Sequence, residues 1–145
     1  VIANQYLAQA VVPGMKKLGY GRIINIIPTS VRQVIPGLGV SNTIRGAVAQ
    51  WAKTLALELG PDSITVNNVL PGYTNTERLK DLLGKWAENT GISYEEMVEA
   101  TSQKTSLRRI GEPEEIASAV AFLASAAAGY ISGTDFPIDG GRFGV

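Results

Sequence analysis

Two short β-branched runs on either side of one long apolar helix constrain this chain more than any other feature. Residues 22–27 read RIINII, opened by Gly21 and stopped by Pro28. The run is too short for a helix and too apolar for a solvated edge, so it predicts a buried strand. Residues 64–70 read ITVNNVL, entered after Gly60-Pro61 and left through Pro71-Gly72. Between the runs Ile44, Ala47, Val48, Trp51, Ala52, Leu55 and Leu59 recur at spacings of three and four. Residues 42–59 therefore predict a helix, with Ser41 or Asn42 as its cap. Ala49, Ala56 and Leu57 lie off that stripe, so the helix is apolar on more than one face and needs two partners. Strand, helix and strand make a parallel pair with a right-handed crossover. Ligands of open α/β sheets collect beyond the carboxyl ends of such strands. The segments Pro28-Thr29-Ser30 and Pro71-Gly72-Tyr73-Thr74 are accordingly the places expected to carry chemistry.

The rest of the chain covers this unit. Residues 1–18 put Ala3, Tyr6, Leu7, Ala10, Val11 and Gly14 on one helical face, with Pro13-Gly14 placed to bend or restart the helix. Residues 76–107 are polar and helical, with Leu79, Leu82, Leu83 and Trp86 on one stripe, Tyr94, Met97 and Val98 on another, and interruptions at Gly84 and Gly91. Glu112-Pro113-Glu114-Glu115 opens a further helix, proline in its first turn and acids at the positive end of its dipole. Its Ile116, Val120 and Leu123 are expected on the sheet. Residues 131–138 predict a third strand, left through Asp139-Gly140-Gly141. No repeat or linker divides residues 1–145.

Lys plus Arg balance Asp plus Glu at 13 each and the basic residues are scattered, which gives no footprint for nucleic acid or an anionic membrane surface. The chain has no cysteine and no histidine, so disulfides, thiolate nucleophiles, the usual zinc ligands and the commonest general base are all excluded. Proton transfer falls to Ser, Thr, Tyr, Lys or a carboxylate, and no metal site is expected. With no apolar stretch of about 18 residues and no signal pattern, the expected location is the cytoplasm.

Four stretches carry a resemblance: PGMKKLGYGRIINI, KTLALELGPDSITVNNVLPGYTNTER, RRIGEPEEIASAVAFLAS and ISGTDFPIDGG. In this order they resemble the C-terminal half of a short-chain dehydrogenase/reductase, closest to the 3-oxoacyl-carrier-protein reductase-like members, over nearly the whole chain. The resemblance implies an α/β fold, the C-terminal portion of a Rossmann-type doubly wound parallel sheet with three strands and flanking helices. The chain then reads as a single partial domain. The glycine-rich dinucleotide turn would belong to sequence before Val1, and residues 76–107 would form a lid over substrate. It implies NAD or NADP as cofactor, a small-molecule carbonyl or alcohol as substrate, and a homo-oligomer, dimer or tetramer, through helices 1–18 and 42–59.

Family members use a tyrosine as acid/base, a lysine four residues on, and a serine about 13 residues before the tyrosine. Aligned without gaps, those positions are Ser41, Arg45 and Pro28 here. An aliphatic hydroxyl is much less acidic than a phenol near about 10, an arginine does not exchange its proton, and proline has no side-chain donor. Thr29 and Ser30 lie within two residues of Pro28 and supply hydroxyls. The candidate catalytic residues are therefore Ser41, Arg45, Ser30 and Thr29, with Tyr73 or a water to relay the proton. By resemblance the nicotinamide side of the cofactor meets Pro71, Gly72, Thr74 and Thr76, and the ribose meets Arg45. Two readings stay open, an atypical oxidoreductase and a non-catalytic subunit that binds nucleotide or stabilises a partner. Ser41 as a plain helix cap, Arg45 as a solvated or interface charge and residues 71–76 as a bare turn are the structural alternatives.

Overall fold

The computed structural model describes residues 1–143. In chain order the elements are α1 (Ile2–Leu18), β1 (Gly21–Ile26), α2 (Gly39–Leu59), β2 (Ile64–Pro71), α3 (Glu77–Thr90), α4 (Tyr94–Ser102), α5 (Pro113–Ala124) and β3 (Asp135–Ile138). The strands form one parallel sheet in the order β1-β2-β3. The central strand is buried along its length up to Pro71, which suits a parallel strand covered on both faces. Alternation along it separates two layers. On one face Ala52, Ala56 and Leu59 of α2 close on Ile64 and Val66, while Val48 and Ala49 meet Leu70 and Ile27. On the other, Leu123 and Ala128 close on Val69, with Ile24, Val120 and Phe136 packed around them. Helices α3 and α4 pair over a separate cluster of Leu79, Leu83, Ala87 and Met97.

Two adjacent asparagines on β2 tie the sheet together. The Asn68 amide donates to Asp135 Oδ1 (2.8 Å) and accepts from Asn25 Nδ2 (3.0 Å), so one polar row crosses all three strands at matched register. The neighbouring Asn67 points to the other face, donates to the Ile131 carbonyl (2.8 Å) and accepts from Thr134 N (3.2 Å).

Several expectations are corrected. The first strand runs Gly21–Ile26 rather than 22–27, although Ile27 N still donates to the Val69 carbonyl at 3.0 Å. In α1 the expected face is turned outward: Tyr6 and Leu7 are about two-thirds exposed, whereas Ala8 is buried and Val12 and Met15 pack on the core. Apolar residues occupy more than half of this helix's circumference, so spacing alone does not choose the inner face. The helix also runs through Pro13 without a break. Helix α2 begins at Gly39, so Ser41 and Asn42 lie inside its first turn and neither caps it. Asn42 instead donates to the Ile35 carbonyl (3.0 Å), clasping the loop that carries Gly37 at φ 80°. Within α2, Ala49 and Ala56 face the sheet while Ile44 is half exposed. Gly84 lies within a continuous α3, and only Gly91, in a left-handed cap, ends a helix. The third strand is half its expected length, because residues 131–134 give their backbone groups to Asn67 and to β2 instead of forming a ladder.

Among the described residues β1 is paired on one side only, and its other side opens a groove of about 350 Å³ between α1 and α2. No described helix is long and apolar enough to cross a membrane. The core assignment predicts that Leu123→Ala, at a fully buried side chain, lowers unfolding free energy by about 2–5 kcal/mol in urea denaturation. A loss under ~0.5 kcal/mol would refute it.

Candidate active site

The carboxyl ends of β1 and β2 lie side by side, as expected of a ligand site in an open sheet. Past β1, Pro28 is extended and Thr29–Val31 make a single tight helical turn. Past β2, Gly72 N donates to the Ile138 carbonyl (2.9 Å). A side chain at Gly72 would place its Cβ 2.6 Å from Asp139 Cα, so glycine is required there by the close approach of the turn after β3.

The turn 71–76 is then pinned from one side. Gly111 N donates to the Tyr73 carbonyl (2.9 Å) and Asn75 N donates to the Gly111 carbonyl (2.8 Å). Peptide groups alternate in extended backbone, so the N–H and C=O of Thr74 itself point away from Gly111. They have no hydrogen-bond partner among the described residues. The Thr74 hydroxyl donates back to the Gly72 carbonyl (3.3 Å), and the Thr76 hydroxyl caps α3 by accepting from Leu79 N (3.3 Å).

This turn separates two hollows, with Pro71, Thr74 and Thr76 on the wall of both. One, of about 590 Å³, is apolar and lies between Ile26 and the Pro113, Ile116 and Val120 side of α5. The other, of about 320 Å³, runs from Pro28 and Thr29 to Tyr73, Leu79 and Leu82 and is also lined by Arg78 and Arg142. Thr29, Pro71, Gly72, Thr74 and Thr76 are thus brought together. The hydroxyl of Ser30 is buried beside them without a partner among the described residues. Ser41 lines neither hollow, and Arg45 opens into the groove along the free edge of β1. Among the described residues no group of three or more His, Cys, Asp or Glu is placed to hold a metal.

Arg78 and Arg142 were not singled out by the sequence. The signal for Arg78 was available, since a cation in the first turn of a helix opposes the helix dipole. Arg142 had none, because its position depends on how the chain folds back after β3.

The segment that pins Thr74 is itself clasped by an ion pair. Arg109 grips Glu115 through two bonds, 2.7 and 2.6 Å, and Glu115 also accepts from Glu112 N at 2.8 Å. The Arg109 side chain first, and the Glu112 N–H second, hold the Glu115 carboxyl down to about 2. A depressed carboxyl stabilises the fold above its unfolded value of about 4.3, and that contribution disappears as pH falls through its folded value. The Glu115→Gln variant is therefore expected to be less stable than the parent at pH 7. The gap should narrow between pH ~5 and pH ~2, read by denaturant unfolding across pH. A gap independent of pH would show that the ion pair is not its source.

A profile of the family described as Enoyl-(Acyl carrier protein) reductase matches residues 2–142. The chain is 38% identical over 130 residues to the short-chain reductase protein NovJ of Streptomyces niveus, covering 88% of this chain and 47% of that protein. It is 37% identical over 139 residues to the 3-oxoacyl-[acyl-carrier-protein] reductase FabG of Vibrio cholerae, covering 94% of this chain and 52% of that one. The chain spans about half the length of the curated relatives it matches. Among solved structures, L-sorbose reductase from Gluconobacter frateurii, complexed with NADPH and L-sorbose, superposes with a TM-score of 0.91 at 29% identity, covering 100% of this chain and 56% of that one. With the parallel three-strand sheet, the turn after β2 and a match along nearly its whole length, the chain belongs to the short-chain dehydrogenase/reductase family.

Proposed function

We propose that the whole protein is an oxidoreductase that exchanges hydride between NAD or NADP and the carbonyl or alcohol group of a small molecule, 3-oxoacyl compounds being the first class to try. The observation that carries this reading is the Thr74 peptide. Its N–H and C=O are left without a partner among the described residues, on the wall of an apolar hollow. A donor and an acceptor on the same residue match a carboxamide, and the walls from Ile26, Pro113 and Val120 suit a planar ring. The residues present therefore fit the nicotinamide end of such a cofactor, which when bound supplies or accepts the hydride.

The neighbouring hollow takes the substrate. There Thr29 directs a hydroxyl toward the reacting oxygen, with Ser30 buried behind it, and donation to that oxygen stabilises the charge that develops on it. Tyr73, in the same wall, or a water moves the proton. Residues 76–107 act as the lid. Arg45 serves the cofactor ribose from the groove beside β1, once a neighbouring strand fills that edge. Exposed Tyr6, Leu7 and Val11 on α1, with Ile44 and Leu57 on α2, support a homodimer or tetramer built on these helices. The cytoplasm is the proposed location.

The position of Arg45, outside the hollow that holds Thr29, favours a second reading in which the protein binds nucleotide without turnover. Fluorescence titration of the full-length protein with NADPH and NADH, followed by turnover of 3-oxoacyl and quinone substrates, separates the two. Binding with turnover is expected, and Thr29→Ala should lower kcat/KM about 100-fold. Binding without turnover supports the second reading, and absence of binding sinks both. Arg45→Ala should weaken cofactor affinity; unchanged affinity would remove Arg45 from the site.

A further inference from the structure

The hollow assigned above to substrate carries two cationic side chains that the proposed hydride exchange does not require. Arg142 stands on a built platform. Asp139 accepts from Gly141 N (3.0 Å) and from Phe143 N (3.2 Å), and the tail is tied to the loop before α5 by Leu107 N donating to the Gly140 carbonyl (3.1 Å) and Ser106 Oγ donating to the Gly141 carbonyl (3.0 Å). Gly140 and Gly141 make the fold-back with φ of 63° and 75°. The guanidinium then lies 4.0 Å from the Tyr73 ring centre and 4.4 Å from that of Phe143. Stacking occupies the faces of the guanidinium, and the donors in its plane have no partner among the described residues.

Arg78 reaches the same hollow from the first turn of α3, where its charge opposes the helix dipole. Nothing nearby compensates for it: Glu77 is bound to Lys80 (2.8 Å), and among the described residues neither Arg78 nor Arg142 has a carboxylate partner. No acidic side chain lines the hollow, whose remaining walls are largely apolar. Cations with no carboxylate partner among the described residues, converging on an apolar cavity of about 320 Å³, form a receptor for a small amphiphilic anion.

We infer that the substrate is a carboxylate-bearing carbonyl compound with a short apolar body, its carboxylate held by Arg142 and Arg78 while its carbonyl faces Thr29. This inference rests on reading the hollow as the substrate side of an oxidoreductase, but its test does not depend on turnover. The full-length protein, with and without NADPH, is titrated with hexanoate and with hexanamide, which has the same length but no charge. Hexanoate is expected to bind at least about tenfold more tightly, and Arg142→Ala and Arg78→Ala each to weaken it about tenfold without changing hexanamide binding. Arg142→Lys keeps the charge and loses the fork, so it should fall between the parent and Arg142→Ala. Neither arginine has an ion-pair partner among the described residues, so truncation strands no buried charge, and far-ultraviolet circular dichroism checks that each variant is folded. Equal affinity for the two probes, no binding of either, or parental affinity in the doubly substituted Arg78→Ala/Arg142→Ala protein overturns the inference. Discrimination that persists in a protein with no NADPH binding and no hydride transfer upholds the anion site and removes only the oxidoreductase reading.

Discussion

The interaction on which the rest of this structure depends is the burial of two consecutive amides on the central strand. Asn67 and Asn68 are almost fully buried, and an unpaired amide there would cost about 1–3 kcal/mol for each stranded group. Only one alignment of the neighbours satisfies them both. Asn68 requires Asn25 and Asp135 directly across from it, and Asn67 requires the backbone of residues 131 and 134. Apolar contacts tolerate a sliding strand far better than such pairs do, so these amides select the register that the aliphatic residues only favour. Lys53 of α2 extends the row by binding Asp135 (3.0 Å), and Asn4 of α1 by binding Asn25 (3.2 Å), which ties both covering helices to that register.

Fixing the register fixes the site. Once Asn68 is opposite Asp135, Pro71 falls opposite Ile138, and the turn after β2 leaves the sheet against the turn after β3. Only glycine fits at position 72 because Asp139 is so close, and Asp139 in turn accepts the backbone bonds that aim Arg142. The backbone of Thr74 and the guanidinium of Arg142, both held on the same side of the hollow, are thus consequences of one pairing choice. A single slip of β3 would displace both together.

Much of this was legible in the sequence, in proportion to how local its cause was. The two strands flanking α2 follow from β-branched runs bounded by glycine and proline, and α5 from its proline and acidic first turn. What failed depended on partners distant in the chain. The inner face of α1 is chosen by Gln5, which accepts from the Trp51 indole (2.7 Å), and by Met15 packing on the core, not by which residues are most apolar. Helix α2 starts early because Asn42 is needed by Ile35 rather than as a cap. The third strand is short because Asn67 competes for its backbone. At the site, the hydroxyls of Thr29 and Ser30 and the turn 71–76 could be placed from strand ends alone, whereas the separation of Arg45 from Thr29 and the stacking of Arg142 required the packed chain.

The two walls of the hollow proposed for substrate differ in how firmly they are held, and the difference bears on the proposed function. The Thr74 and Arg142 side is anchored through the sheet, the Gly111 bridge and the Asp139 turn. The opposite wall, with Arg78, Leu79 and Leu82, belongs to α3, whose buried residues pack chiefly against α4 and meet the rest of the chain through Tyr73 and Ile110. A unit whose apolar contacts are mostly internal separates from its neighbours at lower free-energy cost than one threaded through the main core. Motion of α3 and α4 as a pair would open the hollow and carry Arg78 outward, while the Thr74 peptide and Arg142 stayed in place. On the proposed reading this difference divides the work between a fixed side that orients the reacting groups and a lighter side whose approach completes the anion's contacts and excludes water.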